Sequence, residues 1–275
     1  MSRDFNELLE ANWKRGKFLC VGLDPDIGKM PESARKGSTR ETLVAFNKAI
    51  IDATKDIVCA YKPNAAFYEM YGEDGWVALE ESIAYARGQA PDALVIYDAK
   101  RGDMGNTNLG YVTAAFDRLG ADAITTHPYM GGESLKEFLN RADKGVFVMC
   151  RNSNPGAGEF QDLEIDGEPL YIRLAKAFAE KWNTNGNCGL VVGATYPDEI
   201  EEIREAVPNM PFLIPGTGAQ GGDLARSVAY GKDSRGAGFI ISTSRAIIYA
   251  SKGPDYKDAI GVKAREFDSA IRASL

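Results

Sequence analysis

Histidine occurs once in the 275 residues, at His127. That excludes a metal site built from several imidazoles, and any histidine-based triad would have to use this residue. His127 precedes Pro128 at the end of an apolar run, where a structural or loop hydrogen-bonding role is the ordinary expectation. Cysteine is scarce too. Cys20, Cys59, Cys150 and Cys188 are far apart, and none forms a C-x-x-C pair. Three lie within apolar runs, where a free thiol behaves as a small hydrophobe. A reduced, cytoplasmic protein is therefore expected. Long apolar runs are missing: none approaches the ~20 residues a membrane span needs, and the opening MSRDFNELLEANWKRGKF lacks the apolar core of a signal peptide. Positive charge is not in excess. Lysine and arginine total 32 against 39 aspartates and glutamates, a formal net charge of −7. This argues against general nucleic-acid binding, although a few local groups can still hold a small anion.

What the chain has in abundance is short valine- and isoleucine-rich runs. They fall at Phe18–Leu23, Ile57–Tyr61, Ala93–Tyr97, Ala121–Thr125, Val146–Cys150, Gly189–Val192, Phe212–Ile214 and Phe239–Ile241. Continuous apolar runs suit strands buried on both faces, as in parallel sheets. Between them lie segments with apolar residues three and four apart: Arg40–Ala53, Gly75–Arg87, Leu109–Leu119, Gly132–Arg141, Leu170–Lys181, Pro197–Ala206 and Asp223–Tyr230. Pro197 followed by Asp198 and Glu199 suits a helix first turn. Eight strand-like runs alternate with helix-like segments, at a length ordinary for one barrel. The expectation is an α/β fold, a (β/α)8 TIM barrel forming a single catalytic domain over residues 1–275. No linker interrupts it. One loop insertion is expected near residues 152–169, with a small hairpin around Asp166-Gly167. A long loop after a barrel strand is often a lid.

The informative polar residues follow the runs. Asp24-Pro-Asp follows the first, Lys62-Pro-Asn the second, and Asp98-Ala-Lys-Arg-Gly-Asp103 the third. Arg151-Asn-Ser-Asn-Pro-Gly follows the fifth, Pro215-Gly-Thr-Gly-Ala-Gln-Gly-Gly222 the seventh, and Ser242-Thr-Ser-Arg245 the eighth. In a barrel these strand ends converge on the mouth that holds the active site. Taken singly, each has an ordinary alternative. Asp24 suits a turn, Lys62 can extend its ammonium to water, and Asp98 with Lys100 can be a plain ion pair. Their joint placement is what points to chemistry. Asp98 and Lys100 are two apart, which on extended backbone puts both side chains on one side, and Lys62 can join them. Alternating carboxylates and ammoniums hold one another charged. The glycines of 215–222, Gly216 and Gly218 among them, let backbone N–H groups approach an anion, and Arg245 offers a planar fork for phosphate oxygens. Loops after the seventh and eighth strands are the recurrent phosphate site of this barrel. The residues themselves thus indicate an enzyme acting on a phosphorylated small molecule through an Asp/Lys cluster; they do not give the reaction.

Asp98-Ala-Lys-Arg-Gly-Asp-Met-Gly-Asn-Thr107 resembles the D-x-K-x-x-D-x-x-N-T signature of orotidine 5′-monophosphate decarboxylases. Pro215–Asp223 resembles their phosphate loop. Val21–Pro25, Lys62–Glu69 and Ser153–Gly156 are similar to the longer bacterial branch of that family, and the match runs from about Phe18 to Tyr249 in the family's order. The resemblance implies decarboxylation of orotidine 5′-monophosphate to UMP and CO2 with no metal and no organic cofactor. It implies Lys100 as proton donor to C6, Asp98 against the substrate carboxylate, and Lys62 on ribose and on Asp98. Asp24 would hold a ribose hydroxyl, Ser153 the pyrimidine, and Gln220 and Arg245 the phosphate. Asp103 and Thr107 would come from the other subunit of a homodimer with shared sites. One departure stands out: Asn152 occupies a position where the family pattern leads us to expect threonine. A related phosphosugar decarboxylase, such as one acting on 3-keto-gulonate 6-phosphate, shares the D-x-K-x-x-D core. It resembles a magnesium enzyme with an acidic ligand where this chain has Lys62. A Schiff-base aldolase using Lys62 or Lys100, and a nucleotide-binding barrel without turnover, are the other readings.

Overall fold

A computed structural model describes residues 3–218 and 220–275. Ten strands are present among them. β1 (Leu19–Leu23), β2 (Val58–Pro63), β3 (Leu94–Arg101), β4 (Ala123–Thr126), β5 (Gly145–Arg151), β8 (Cys188–Val192), β9 (Phe212–Pro215) and β10 (Phe239–Thr243) form a closed barrel. β6 (Glu164–Ile165) and β7 (Glu168–Pro169) form a separate antiparallel hairpin. Every barrel pairing is parallel, in the order β1-β10-β9-β8-β5-β4-β3-β2. Strands so enclosed have no solvated face, which is why their residues are apolar without alternation.

Three barrel strands run two or more residues further than their apolar character suggested. β2 continues through Lys62 and Pro63, β3 through Asp98, Ala99, Lys100 and Arg101, and β10 through Ser242 and Thr243. Backbone pairing persists there after the side chains have turned polar, because those side chains have reached the mouth.

The helices between strands follow the amphipathic segments closely. Thr39–Thr54 opens with a reciprocal cap between Ser38 and Glu41. Pro197–Ala206 begins with its proline in the first turn, and Asp223 caps Leu224–Gly231 through the Arg226 amide. Two long helices were not anticipated. Tyr256–Ala273 completes the outer ring against Thr39–Thr54. Phe5–Lys14 lies across the amino-terminal end of the barrel. There the indole of Trp13 donates to the Phe239 carbonyl at 2.8 Å, Phe5 packs edge-on against Phe147, and Arg3 bridges buried Asp122 at 2.7 Å. Burying Phe5, Leu9 and Trp13 closes this end at about 1.5–3 kcal/mol per large apolar side chain, leaving the carboxyl-terminal mouth as the open one.

Between β5 and β8 the chain makes a short helical turn (Gly158–Gln161) and then the hairpin, whose turn residues Asp166 and Gly167 both have positive φ, 57° and 79°. Two left-handed central residues give the turn whose twist matches paired strands. All four cysteines are buried and unpaired. No helix among the described residues is long and apolar enough to cross a membrane.

Candidate active site

Four charged side chains meet where β1, β2 and β3 end. The carboxylate of Asp98 is buried and accepts four hydrogen bonds. Lys62 Nζ (2.9 Å) and Asn64 Nδ2 (3.2 Å) donate to Oδ2; Lys100 Nζ (2.6 Å) and Thr125 Oγ1 (2.9 Å) donate to Oδ1. Burial opposes ionisation of Asp98, but the two ammoniums and their hydrogen bonds outweigh it and hold the carboxyl well below the usual range. Burial likewise opposes the charge on Lys62, and Asp98 and Asp24 overcome it, raising its pKa above the ordinary lysine value. Asp24 goes the other way. Its burial outweighs the attraction of Lys62 and leaves its pKa raised. It accepts from the Asn64 amide at 3.2 Å. Gly22 permits this crowding, since a Cβ there would lie 2.5 Å from that of Ser244 and 2.8 Å from Oδ2 of Asp24.

Lys100 reaches Asp98 by a different route from the one sequence spacing suggested. The segment is not regular extended strand. Lys100 has φ 47°, and the β3–β4 register shifts between Tyr97 and Arg101. A bulge, rather than a two-residue repeat, aims both side chains into the mouth.

Lys62, Asp98 and Lys100 line a cleft of about 420 Å³, whose apolar wall includes Met149, Val191 and Leu213 and whose rim carries Asn152, Ser153 and Asn154. A second cavity of about 200 Å³ is lined by Asp24, Gly216, Gly218, Ser244 and Arg245. Lys62, Pro215 and Gln220 line both. The two are therefore one elongated site, with charge at one end and a glycine-arginine cradle at the other. Gly216 has φ 105°, and a Cβ there would meet Oε1 of Gln220 at 2.9 Å. The Ser153 hydroxyl donates to that same Oε1 at 3.1 Å, linking the β5 and β9 loops across the cleft. Ala219 lies outside the described residues.

Asp103 and Thr107 are not among the side chains lining either cavity. Asp103, just before the helix Gly105–Val112, is half-buried, and Thr107, on that helix, is exposed. Sequence reasoning missed Asn64, Thr125 and Arg151, and it gave His127 no place in the cleft. His127 is in fact part of the cleft wall, where burial first and the Lys100 charge second lower its pKa. Arg151 is fully buried under the loop, with Nε 3.1 Å from Asp162 and its guanidinium 4.0 Å from the Tyr196 ring centre. It ties the 152–162 segment to the end of β5. Among the described residues no three His, Cys, Asp or Glu side chains are grouped to hold a metal ion.

A closed parallel barrel with an Asp/Lys cluster at its carboxyl-terminal mouth, continuous with a glycine- and arginine-lined cavity after the seventh and eighth barrel strands, has the architecture of a (β/α)8 enzyme. The model of the orotidine 5′-phosphate decarboxylase / HUMPS family matches residues 17–257. A protein of Herpetosiphon aurantiacus named orotidine 5′-phosphate decarboxylase is 50% identical over 250 residues, covering 90% of each chain. Its namesake in Cellvibrio japonicus is 48% identical over 256 residues, covering 93% of each. The structure of Leishmania donovani OMP decarboxylase superposes with a TM-score of 0.85 at 38% identity, covering 98% of both chains. The chain belongs to the orotidine 5′-phosphate decarboxylase / HUMPS family and is an enzyme of the decarboxylase kind.

Proposed function

We propose that this enzyme converts orotidine 5′-monophosphate to UMP and CO2 for pyrimidine biosynthesis in the cytoplasm, with Lys100 as the proton donor. The observation that carries the mechanism is Asp98 clamped between the ammoniums of Lys62 and Lys100 at one end of a cleft whose other end is the Gly216–Gly218–Gln220–Arg245 cradle. With the substrate's phosphate in the cradle, its pyrimidine lies along Ser153 and its C6 carboxylate meets Asp98. The C6–carboxylate bond breaks, CO2 departs, and the electron pair left on C6 takes a proton from Nζ of Lys100. Water then reprotonates the amine. The fixed ammonium stabilises the developing negative charge before it delivers the proton, and departure of CO2 relieves the repulsion against Asp98. Lys62 and Asp24 hold the ribose hydroxyls.

No metal or organic cofactor takes part in this scheme. The acidic ligand that the phosphosugar branch places at the end of the second strand is replaced here by Lys62. The 152–169 insertion serves as the lid, its root held by Arg151 and Asp162, within a single catalytic domain. The enzyme works as a homodimer in which Asp103 and Thr107 complete the neighbour's site. Two observations support this: neither residue lines its own cleft, and the surrounding surface exposes Met104, Leu109, Tyr129 and Met130.

The test is the loss of orotidine 5′-monophosphate absorbance in excess EDTA, with wild type beside Lys100→Ala. Rapid metal-independent loss in wild type alone is expected. A folded wild type that binds UMP and turns nothing over would reduce the protein to a binding barrel.

A further inference from the structure

The bulge that carries Lys100 leaves a backbone group to be accounted for. From Tyr97 to Arg101 the chain advances four residues along β3, while the paired positions on β4 advance only from Ile124 to Thr126. The extra residues interrupt the ladder, so the Lys100 amide has no β4 carbonyl to bond. Its partner is a side chain: Lys100 N donates to Thr125 Oγ1 at 3.0 Å. The hydroxyl in turn donates a hydrogen bond to Asp98 Oδ1 at 2.9 Å, and that oxygen also accepts from Lys100 Nζ at 2.6 Å. The four groups form a closed ring that begins at the amide of Lys100 and returns to its ammonium.

From this ring we infer that Thr125 is the positioning residue for the proton donor. The inference rests on the reading of Lys100 given above. Thr125 holds a non-glycine residue at φ 47°, a conformation that persists only where its surroundings impose it. It also fixes the carboxylate oxygen against which the ammonium is aimed. Both tasks need one hydroxyl that accepts and donates at once. Valine has the shape of threonine and can do neither. Serine can do both. Thr125 itself is buried and is not proposed to exchange a proton with substrate. Its contribution is to keep Nζ on the line to C6, and small misplacements of a reacting group cost orders of magnitude in rate.

The experiment compares Thr125→Val and Thr125→Ser with wild type on orotidine 5′-monophosphate, together with UMP binding by calorimetry. Thr125→Val is expected to lower kcat about 10–100-fold, with KM and the UMP dissociation constant within about threefold of wild type. Thr125→Ser is expected to recover kcat to within about threefold. A purely structural threonine would shift stability, or KM and kcat together, and serine, which lacks the methyl, would fare no better than valine. Full kcat in Thr125→Val, or Thr125→Ser as slow as Thr125→Val, overturns the inference while leaving the proposed reaction standing. No turnover by wild type overturns the reaction, and the role of Thr125 with it.

Discussion

Lys100 meets Oδ1 of Asp98 at 2.6 Å from a left-handed backbone, φ 47°. For an L-residue with a long side chain that conformation costs roughly 1–2 kcal/mol. The pair it makes is only partly shielded, since the Lys100 side chain is 39% exposed, and screening leaves such a pair about 0–1 kcal/mol. Asp98 also keeps Lys62, Asn64 and Thr125 when Lys100 is replaced. On these magnitudes the strain exceeds the gain, as expected of a position kept for the proposed proton transfer rather than for stability. Lys100→Asn, a residue that tolerates left-handed backbone, is expected to unfold at or above the wild-type temperature while losing about 10³-fold or more in kcat. Calorimetric melting beside a turnover assay decides it. A variant several degrees less stable would mean that the ion pair outweighs the backbone strain.

The two buried carboxylates diverge, and their directions predict which one is neutralised first in acid. Burial leaves Asp24 raised, while Lys62 and Lys100 hold Asp98 well below the usual range. As pH falls, Asp24 is therefore neutralised first and Asp98 stays ionised. The acid limb of kcat/KM should belong to Asp24, superposed on the substrate's own phosphate titration near pH ~6. In Asp24→Asn that enzyme limb disappears, leaving the phosphate step alone. The overall value drops roughly 10–100-fold for the lost charged hydrogen bond. Parallel pH profiles make the comparison, since the substrate contributes equally to both. An unchanged acid limb in Asp24→Asn would return the assignment to another group.

The barrel was readable because its strands are apolar on both faces, so eight runs could be counted without knowing their neighbours. The mouth was readable only in part. Asp24, Lys62, Asp98 and Lys100 announced themselves as charges directly after apolar runs. Thr125 did not, because a threonine at the end of a short strand-like run reads as an ordinary strand residue. Its signal was positional: it sits on the strand next to Asp98, where a polar side chain has a carboxylate to meet. The left-handed Lys100 was invisible, since nothing in a lysine marks positive φ. Asn64 was hidden for another reason. It holds Asp24 through its backbone amide and Asp98 through its side chain, and only the side chain leaves a trace in sequence. The helix Phe5–Lys14 was legible and overlooked: Phe5, Leu9 and Trp13 repeat at four-residue intervals.

Asp103 and Thr107 provide the test of assembly. If each cleft is completed by the neighbouring subunit, Asp103→Ala damages the partner's site and Lys100→Ala its own. A hybrid of the two then contains one intact cleft and one doubly altered cleft. Random subunit exchange of equal amounts makes half the dimers hybrids, so activity should return to about one quarter of wild type per site. Native mass spectrometry confirms exchange, and the absorbance assay reads recovery. Exchange without recovery would place Asp103 outside the neighbour's site.

At the far end of the barrel Arg204 shows what a buried charge does when it serves the fold. Its guanidinium has no carboxylate partner within bonding distance among the described residues and instead donates to backbone carbonyls. Nε and Nη2 bond Gly231 (3.1 and 2.6 Å), Nη2 also bonds Gly238 (2.9 Å), and Nη1 bonds Pro208 (3.1 Å) and Met210 (2.8 Å). The plane stacks 3.6 Å from the centre of the Phe212 ring. Burial lowers its pKa to about 10, which still leaves it charged at neutral pH. These carbonyls belong to the turns that feed β9 and β10, the strands that carry the glycine-arginine cradle at their other ends. Arg204→Met keeps the apolar stem and removes these donors; Gly238 retains the Phe212 amide at 2.9 Å, while the Gly231, Pro208 and Met210 carbonyls lose the guanidinium. A loss of about 3 kcal/mol or more is expected, lowering Tm by about 6–12 °C. Arg204→Lys should recover only part, because one ammonium cannot span so many acceptors. The site lies at the opposite mouth, so kcat of the folded variant should stay within about twofold of wild type. Thermal unfolding and turnover measured on the same preparations separate the two effects. A methionine variant as stable as wild type would show that water reaches these carbonyls, while a large fall in kcat at full folding would show that the two ends of the barrel are coupled.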